Sequence, residues 1–189
     1  PTIRKDMPEL ASYATSKGMR AVISTNGTLI DRAMARELKA VGLSYVGVSL
    51  DGGEEVHDHF RGVKGAFRRA LEGLDYCREE GIKVGLRFTI NKRNAVEIPK
   101  IFDILRERDI PRVCFYHLVY SGRGTELINE DLNHQETRAV VDLIMDKTRE
   151  CFDAGTPKEV LTVDNHADGP YVWMRLLKED PKRAEEVFQ

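Results

Sequence analysis

The sequence predicts an α/β fold built on a parallel sheet, open or curled into a barrel, and three observations predict it. Strand-like segments alternate with amphipathic helices four times along the chain. In residues 45–53 and 83–91 the alternation is strict: Val46, Val48 and Leu50, then Val84, Leu86, Phe88 and Ile90, share one face. Gly47, Ser49 and Asp51, then Gly85, Arg87, Thr89 and Asn91, share the other, so hydroxyl, carboxylate and guanidinium groups line a wet interior wall. Right-handed crossovers bring every strand's C-terminal end to one rim. Residues 24–27, Ser49 with residues 51–53, residues 89–91 and residues 117–124 gather there, where ligands of parallel α/β folds bind.

Each element has a local cause. Residues 1–17 hold a loop and then a helix burying Met7, Leu10, Ala11 and Ala14, with Pro8 in its first turn and Gly18 past its end. A strand follows at 20–24. Asp31 caps a helix with Met34, Leu38 and Val41 on one stripe, closed by Gly42. After the 45–53 strand, Phe67, Leu71 and Leu74 mark a helix ended by Gly81, and the strand at 84–90 succeeds it. Asn94 and Glu97 have capping-box spacing ahead of a helix carrying Ile98, Ile101, Phe102 and Leu105, with Pro99 blurring its start. Residues 112–118 form the fourth strand, followed by a Gly-rich loop at 121–124. Asn133 and Glu136 open a long helix with Val141, Ile144, Met145 and Phe152 inward, stopped by Gly155 and Pro157. A short strand at 160–163 and two helices starting near Pro170 and Pro181 complete the chain.

At 189 residues the chain suits one domain with a sizeable core. A formal charge of -2 offers no electrostatic case for nucleic acid or an anionic membrane surface. No apolar run reaches membrane-span length and no secretory signal is visible, so a cytoplasmic protein is expected. Cys77, Cys114 and Cys151 are evenly spaced, but two fall in helices and one in a strand, so no repeat is inferred. Their spacing fits neither a zinc site nor a disulfide framework, and buried reduced thiols are expected. The chain starts with Pro1 and stops at Gln189 inside an amphipathic helix with Ala184, Val187 and Phe188, and is expected to be a fragment of something longer.

Three motifs are specific enough to carry a resemblance: ISTNGTLID from Ile23, VSLDGGEEVHDHFRGVKGAF from Val48 and HLVYSGRG from His117. In this order they resemble the S-adenosylmethionine (SAM) half of radical SAM enzymes. FYHLVYSGRGTEL, TRAVVDLIMDKTRECFDAG and LTVDNHADGPYVWMRLLKEDPKRAEEV resemble the tetrapyrrole-modifying branch. The resemblance implies a partial (β/α) barrel of the radical SAM type, with parallel strands, outer helices and truncation at both ends. It implies a core over residues 1–125 and a helical C-terminal extension over 126–189. The implied activity of the full-length enzyme uses a deoxyadenosyl radical, made by reductive cleavage of SAM, to remove acetate side chains from didecarboxysiroheme and give iron-coproporphyrin. Heme d1 biosynthesis and peptide modification are the neighbouring readings within the family. The implied cofactors are SAM and a 4Fe-4S cluster, with an auxiliary 4Fe-4S cluster in the full-length protein. The implied partners are the tetrapyrrole and an electron donor such as ferredoxin or flavodoxin.

By the same resemblance, Pro1 ends the Gly-Gly-Glu-Pro turn that holds the methionyl amine of SAM, and the cluster-binding cysteines lie upstream of it. Cys77, Cys114 and Cys151 lack the close spacing of cluster ligands, so no metal ligand is expected in this chain, which by itself should be inactive. Two readings come from other classes. A barrel aldolase or isomerase would need a lumen lysine, and Lys83 lies at the wrong end of its strand. A non-catalytic tetrapyrrole or nucleotide carrier needs no cluster.

The resemblance assigns Thr25, Asn26, Ser49 and Asp51 to the ribose and carboxylate of SAM; turn formation by the Asn-Gly and Asp-Gly pairs is the alternative. Arg87 meets a carboxylate of SAM or substrate, or pairs with Asp51. His117 and the Asp164, Asn165 and His166 turn are the substrate-side candidates. A porphyrinoid carboxylate needs donors and its iron accepts an imidazole; a purely structural histidine is the alternative. His117 and His166 are also the candidates for proton donation. Arg123, between Gly122 and Gly124, suggests a backbone nest for an anion. His57, Asp58 and Arg61 are expected to pair and fix the loop after Gly53, with His59 facing solvent. Tyr171, Trp173, Leu176 and Leu177 pack a macrocycle or form the buried stripe of a helix.

Overall fold

The computed structural model describes residues 2–188, without the side chains of Arg123 and Phe188. Pro1, Gln189 and those two side chains, which figure in the expectations above, lie outside the described residues.

Five strands form one sheet: β1 (Val22–Thr25), β2 (Tyr45–Ser49), β3 (Lys83–Thr89), β4 (Arg112–Tyr116) and β5 (Glu159–Val163). Every neighbouring pair is parallel, and the order across the sheet is the order along the chain. A doubly wound sheet would reverse direction at a switch point. Here the progression never reverses, so right-handed crossovers stack their helices on one face and leave the other free, as in a segment of a (β/α) barrel. The helices are α1 (Met7–Ser16), α2 (Arg32–Ala40), α3 (Glu54–Arg61), α4 (Ala66–Glu79), α5 (Ile98–Glu107), α6 (His134–Asp153), α7 (Asp168–Glu179) and α8 (Pro181–Phe188). None of these is long and apolar enough to cross a membrane.

The apolar faces of the strands make the core. Val46, Val48, Leu50, Leu86, Phe88, Val113 and Phe115 are fully buried against Leu38 of α2, Leu71 and Leu74 of α4, and Ile101, Phe102 and Leu105 of α5. Phe115 stacks on Phe102 at 5.8 Å and meets Phe88 edge-on at 5.7 Å, geometries that suit the ring quadrupoles. Val140, Ile144 and Cys151 of α6 join the same core and β5 joins the same sheet. Residues 126–189 thus contribute a strand as well as helices, and residue 125 falls inside a 3₁₀ segment, Gly122–Glu130.

Several local expectations are corrected. Residues 54–61 are helix, not loop. The Gly-rich stretch at 121–124 opens the 3₁₀ segment. Leu10 of α1 is 49% exposed; Phe152 is 70% exposed because the inward stripe of α6 runs through Val140, Ile144 and Cys151 and places Phe152 about 100° past it. Asn133 and Glu136 do form the capping box of α6, and Asp31 caps α2 through the Met34 amide at 2.8 Å. Asn94 and Glu97 do not. The Asn94 side chain accepts from the Asn91 amide at 2.9 Å and donates to the Thr89 carbonyl at 3.0 Å, bracing the end of β3. Glu97 accepts from the Gly53 amide at 2.8 Å, at the start of α3.

Gly73 sets how closely α4 approaches the loop after β1. A Cβ there would collide with the Gly27 carbonyl oxygen and lie 3.1 Å from Ile30 Cβ. Alanine would normally favour a helix interior by up to about 1 kcal/mol. At this position overpacking, typically about 1–3 kcal/mol, outweighs that gain. Gly73→Ala is therefore expected to lower the unfolding free energy by about 1–2 kcal/mol, read by urea denaturation; an unchanged or raised midpoint would contradict the packing described.

Candidate active site at the strand rim

The free face of the sheet splits into a filled floor and an open upper part. On the floor, Arg112 lies over the Tyr45 ring at 5.4 Å, and Arg87 over the Tyr116 ring at 4.2 Å. Two glycines make room for them. A Cβ on Gly47 would sit 2.8 Å from Arg87 Cδ, and one on Gly85 would collide with Tyr45 Oη. Burial foremost, and then the neighbouring Cys114 thiol, raise the Tyr116 phenol above its ordinary pKa. Above the floor, at the C-terminal ends of the strands, is a cavity of about 860 Å³, within the range of small-molecule sites.

The cavity brings together Thr25, Asn26, Ser49, Asp51, Arg87, His117 and Asp164 from the sequence-based candidates. Thr25 accepts from the Gly27 amide at 3.2 Å, and Asn26 from the Thr28 amide at 3.4 Å, so both also shape the turn after β1. The Ser49 hydroxyl makes no hydrogen bond among the described residues. Asp51 is buried, and its carboxylate is held bidentately by Arg61 at 2.6 and 3.1 Å. The alternative pairing of Asp51 with Arg87 is not formed, and Arg87 has no carboxylate partner among the described residues.

Asn165 and His166 are not in the cavity lining, and His166 is exposed. The Asn165 side chain accepts from the Ala167 amide and donates to Asp168, ordering the turn into α7. Asp168 was not singled out in the sequence. It is 5% exposed and lies 2.7 Å from His117 Nε2. Only its place beside the Asn165 and His166 turn hinted at it. The backbone of Arg123 lies in the 3₁₀ segment, and its side chain is outside the described residues. Tyr171 donates to Asp142 at 2.8 Å on α6, away from the cavity.

His57, Asp58 and Arg61 sit on α3 and, among the described residues, their side chains bond to other segments and not to one another, Arg61 to Asp51. His57 is fully buried, and its Nδ1 receives the Asp51 amide hydrogen at 3.1 Å. Asp58 accepts from the Phe67 amide at 2.8 Å and from the Gly65 amide, so α3 caps α4. His59 is exposed, as expected.

The donor set fits SAM. Hydroxyls at Thr25, Ser49 and Thr89, side-chain amides at Asn26 and Asn91, and an unpaired guanidinium line one cavity, matching a ligand that carries a diol, a nucleobase and a carboxylate. A 4Fe-4S cluster finds no ligand set: no three ligating side chains converge among the described residues. Cys77, Cys114 and Cys151 are buried on separate elements, and burial pushes the Cys77 thiol up to about 11, away from the thiolate a cluster requires.

Comparison with known proteins agrees with this geometry. A family model described as the radical SAM superfamily matches residues 1–105. An Fe-coproporphyrin III synthase of Methanosarcina barkeri is 68% identical over 189 residues, all of this chain and 47% of the relative. A pre-heme d1 synthase of Dinoroseobacter shibae is 38% identical over 172 residues, 90% of this chain and 43% of the relative. The chain spans about half the length of the curated relatives it matches. Among solved structures, Streptococcus suis SuiB bound to its precursor peptide SuiA matches with TM-score 0.73 at 18% identity, over 90% of this chain and 38% of that one. Native anSMEcpe with bound AdoMet matches with TM-score 0.64 at 21% identity, over 80% and 43%. At those identities the structures speak to the fold alone.

The Asp58 cap yields a pH test. Hydrogen bonds from the Phe67 and Gly65 amides hold its carboxyl below the ordinary value of 3.8. A depressed native value gives stability that is present above 3.8 and lost as pH falls through the lowered native value. The melting temperature of wild type should exceed that of Asp58→Asn by a constant margin from pH 7 to about pH 5, and the margin should shrink below about pH 4. A margin that grows in acid would contradict the cap.

Proposed function

The chain belongs to the radical SAM superfamily, and on that premise we propose that the full-length protein removes the acetate side chains of didecarboxysiroheme to give iron-coproporphyrin. One observation carries the reading: the likeness to Fe-coproporphyrin III synthase extends over every residue of this chain, at far higher identity than the likeness to pre-heme d1 synthase. SAM and a 4Fe-4S cluster, when bound, supply hydrogen-atom abstraction.

The residues of this chain then divide by position. Ser49, Thr25 and Asn26 hold the hydroxyls of SAM at the ends of β1 and β2. Arg87 meets its carboxylate, because the Tyr116 ring steadies the guanidinium without neutralising it. Asp51, with its charge balanced by Arg61, presents its remaining oxygen lone pairs to the ribose. The tetrapyrrole lies toward β4 and β5, beside His117 and Asp164, which line the cavity, and the proposed anion nest at Arg123 receives its carboxylates. An electron donor of the ferredoxin or flavodoxin kind, an auxiliary 4Fe-4S cluster and a cytoplasmic location complete the proposal.

The test is an anaerobic incubation of full-length, cluster-reconstituted protein with SAM, dithionite and didecarboxysiroheme, read by mass spectrometry. Loss of both acetate side chains together with 5′-deoxyadenosine supports the reading. Deoxyadenosine with an unchanged tetrapyrrole overturns the substrate and redirects it to heme d1 intermediates or a peptide. Charge-assisted hydrogen bonds contribute about 1.5–3 kcal/mol, so Arg87→Met should weaken SAM binding by about 10- to 100-fold, measured by equilibrium dialysis. Its melting temperature should stay near that of wild type, because Arg87 pairs with no buried carboxylate among the described residues.

A further inference from the structure

We propose that His117 binds the iron of the tetrapyrrole substrate through Nδ1, and that Asp168 is the positioning residue that orients and strengthens that ligand. The inference rests on the reading that the substrate is an iron tetrapyrrole. His117 follows the last residue of β4, and its backbone amide donates to the Val163 carbonyl at the end of β5, at 3.0 Å. The main chain is thus held at the rim. The ring is held by Asp168, 2.7 Å from Nε2. A carboxylate only accepts, so the ring hydrogen sits on Nε2, and in the uncharged imidazole Nδ1 carries the lone pair.

That lone pair is open. Nδ1 makes no hydrogen bond among the described residues, and the one fully buried, unpartnered side-chain nitrogen or oxygen among them is His57 Nε2, not a His117 atom. His117 lines the cavity. The other four histidines lack this combination. His57 is sealed in the interior with Nδ1 already used, and His59, His134 and His166 are exposed.

Asp168 has features that a merely structural carboxylate does not need. It is buried, and among the described residues its side-chain partners are the Asn165 amide at 2.8 Å and His117, with no Arg or Lys paired to it. Its place at the first position of α7 makes the buried charge tolerable, since helix N-termini favour anions. An imidazole backed by such a carboxylate is electron-rich at its free nitrogen. That favours a Lewis acid over a second anion, and metal-binding histidines commonly donate their other N–H to a carboxylate.

The experiment titrates full-length protein, without SAM, with iron-coproporphyrin and separately with metal-free coproporphyrin, reading absorbance and resonance Raman spectra. Wild type should show a histidine-ligated iron spectrum. His117→Gly should lose it, and added imidazole should restore it, which also shows that the variant is folded. Asp168→Asn should keep the ligand, lower the ferrous iron–nitrogen stretching frequency, and cut the preference for iron over metal-free porphyrin by about tenfold. His166→Ala should match wild type. If His117→Gly binds iron-coproporphyrin with the wild-type spectrum, the ligation is wrong while the proposed function stands. If neither porphyrin binds wild type, the proposed function fails with it.

Discussion

Each strand hydrogen-bonds to the next one in the chain, all in the same direction, and the site depends on that constraint. A parallel sheet that never reverses its progression carries its crossovers on one side. The helices therefore complete the core on the apolar face and leave the opposite face lined by Tyr45, Arg87, Arg112 and Tyr116. All five strand ends open on the same rim, so residues as far apart in the chain as Thr25 and Asp164 share one cavity.

The charges at that rim are not equivalent. Asp51 is buried and would be costly to leave unpaired, and Arg61 from α3 balances it. Arg87 rests on an aromatic face, which steadies a cation without cancelling its charge. One guanidinium is thus committed to the fold and the other remains available to an anionic ligand. A similar division separates His57, sealed beneath Asp51, from His117, tethered to Asp168 at the cavity wall.

The same architecture occurs in structures bound to a precursor peptide or to AdoMet, so the sheet alone does not select a substrate. Selection falls to groups placed on the common rim. On the β4 and β5 side, His117, Asp164 and part of the segment Gly122–Glu130 border the cavity. The upstream side, formed by β1 to β3, carries the hydroxyls and the guanidinium suited to SAM.

The alternation of Val46 to Asp51 and Val84 to Asn91 was enough to read the sheet, its two faces and most of the rim, because a period-two pattern is local and survives any packing. The Asp31 cap and the capping box of α6 were legible for the same reason, each being closed within four residues. Some misreadings were local, such as the helix at 54–61, and others concern groups whose partner is distant in sequence. Glu97 had capping-box spacing but bonds to Gly53, and of the two roles open to Arg87 the pairing with Asp51 is not formed, Asp51 being held by Arg61. Asp168 became visible only when α7 set it beside His117, 51 residues earlier. The sequence by itself determined the two faces of the strands and with them most of the cavity lining, though not that Asn165 and His166 stay outside it. The tertiary structure decided which of them are already satisfied, because a hydrogen bond or ion pair between distant segments exists only once the sheet has brought them within about 3 Å.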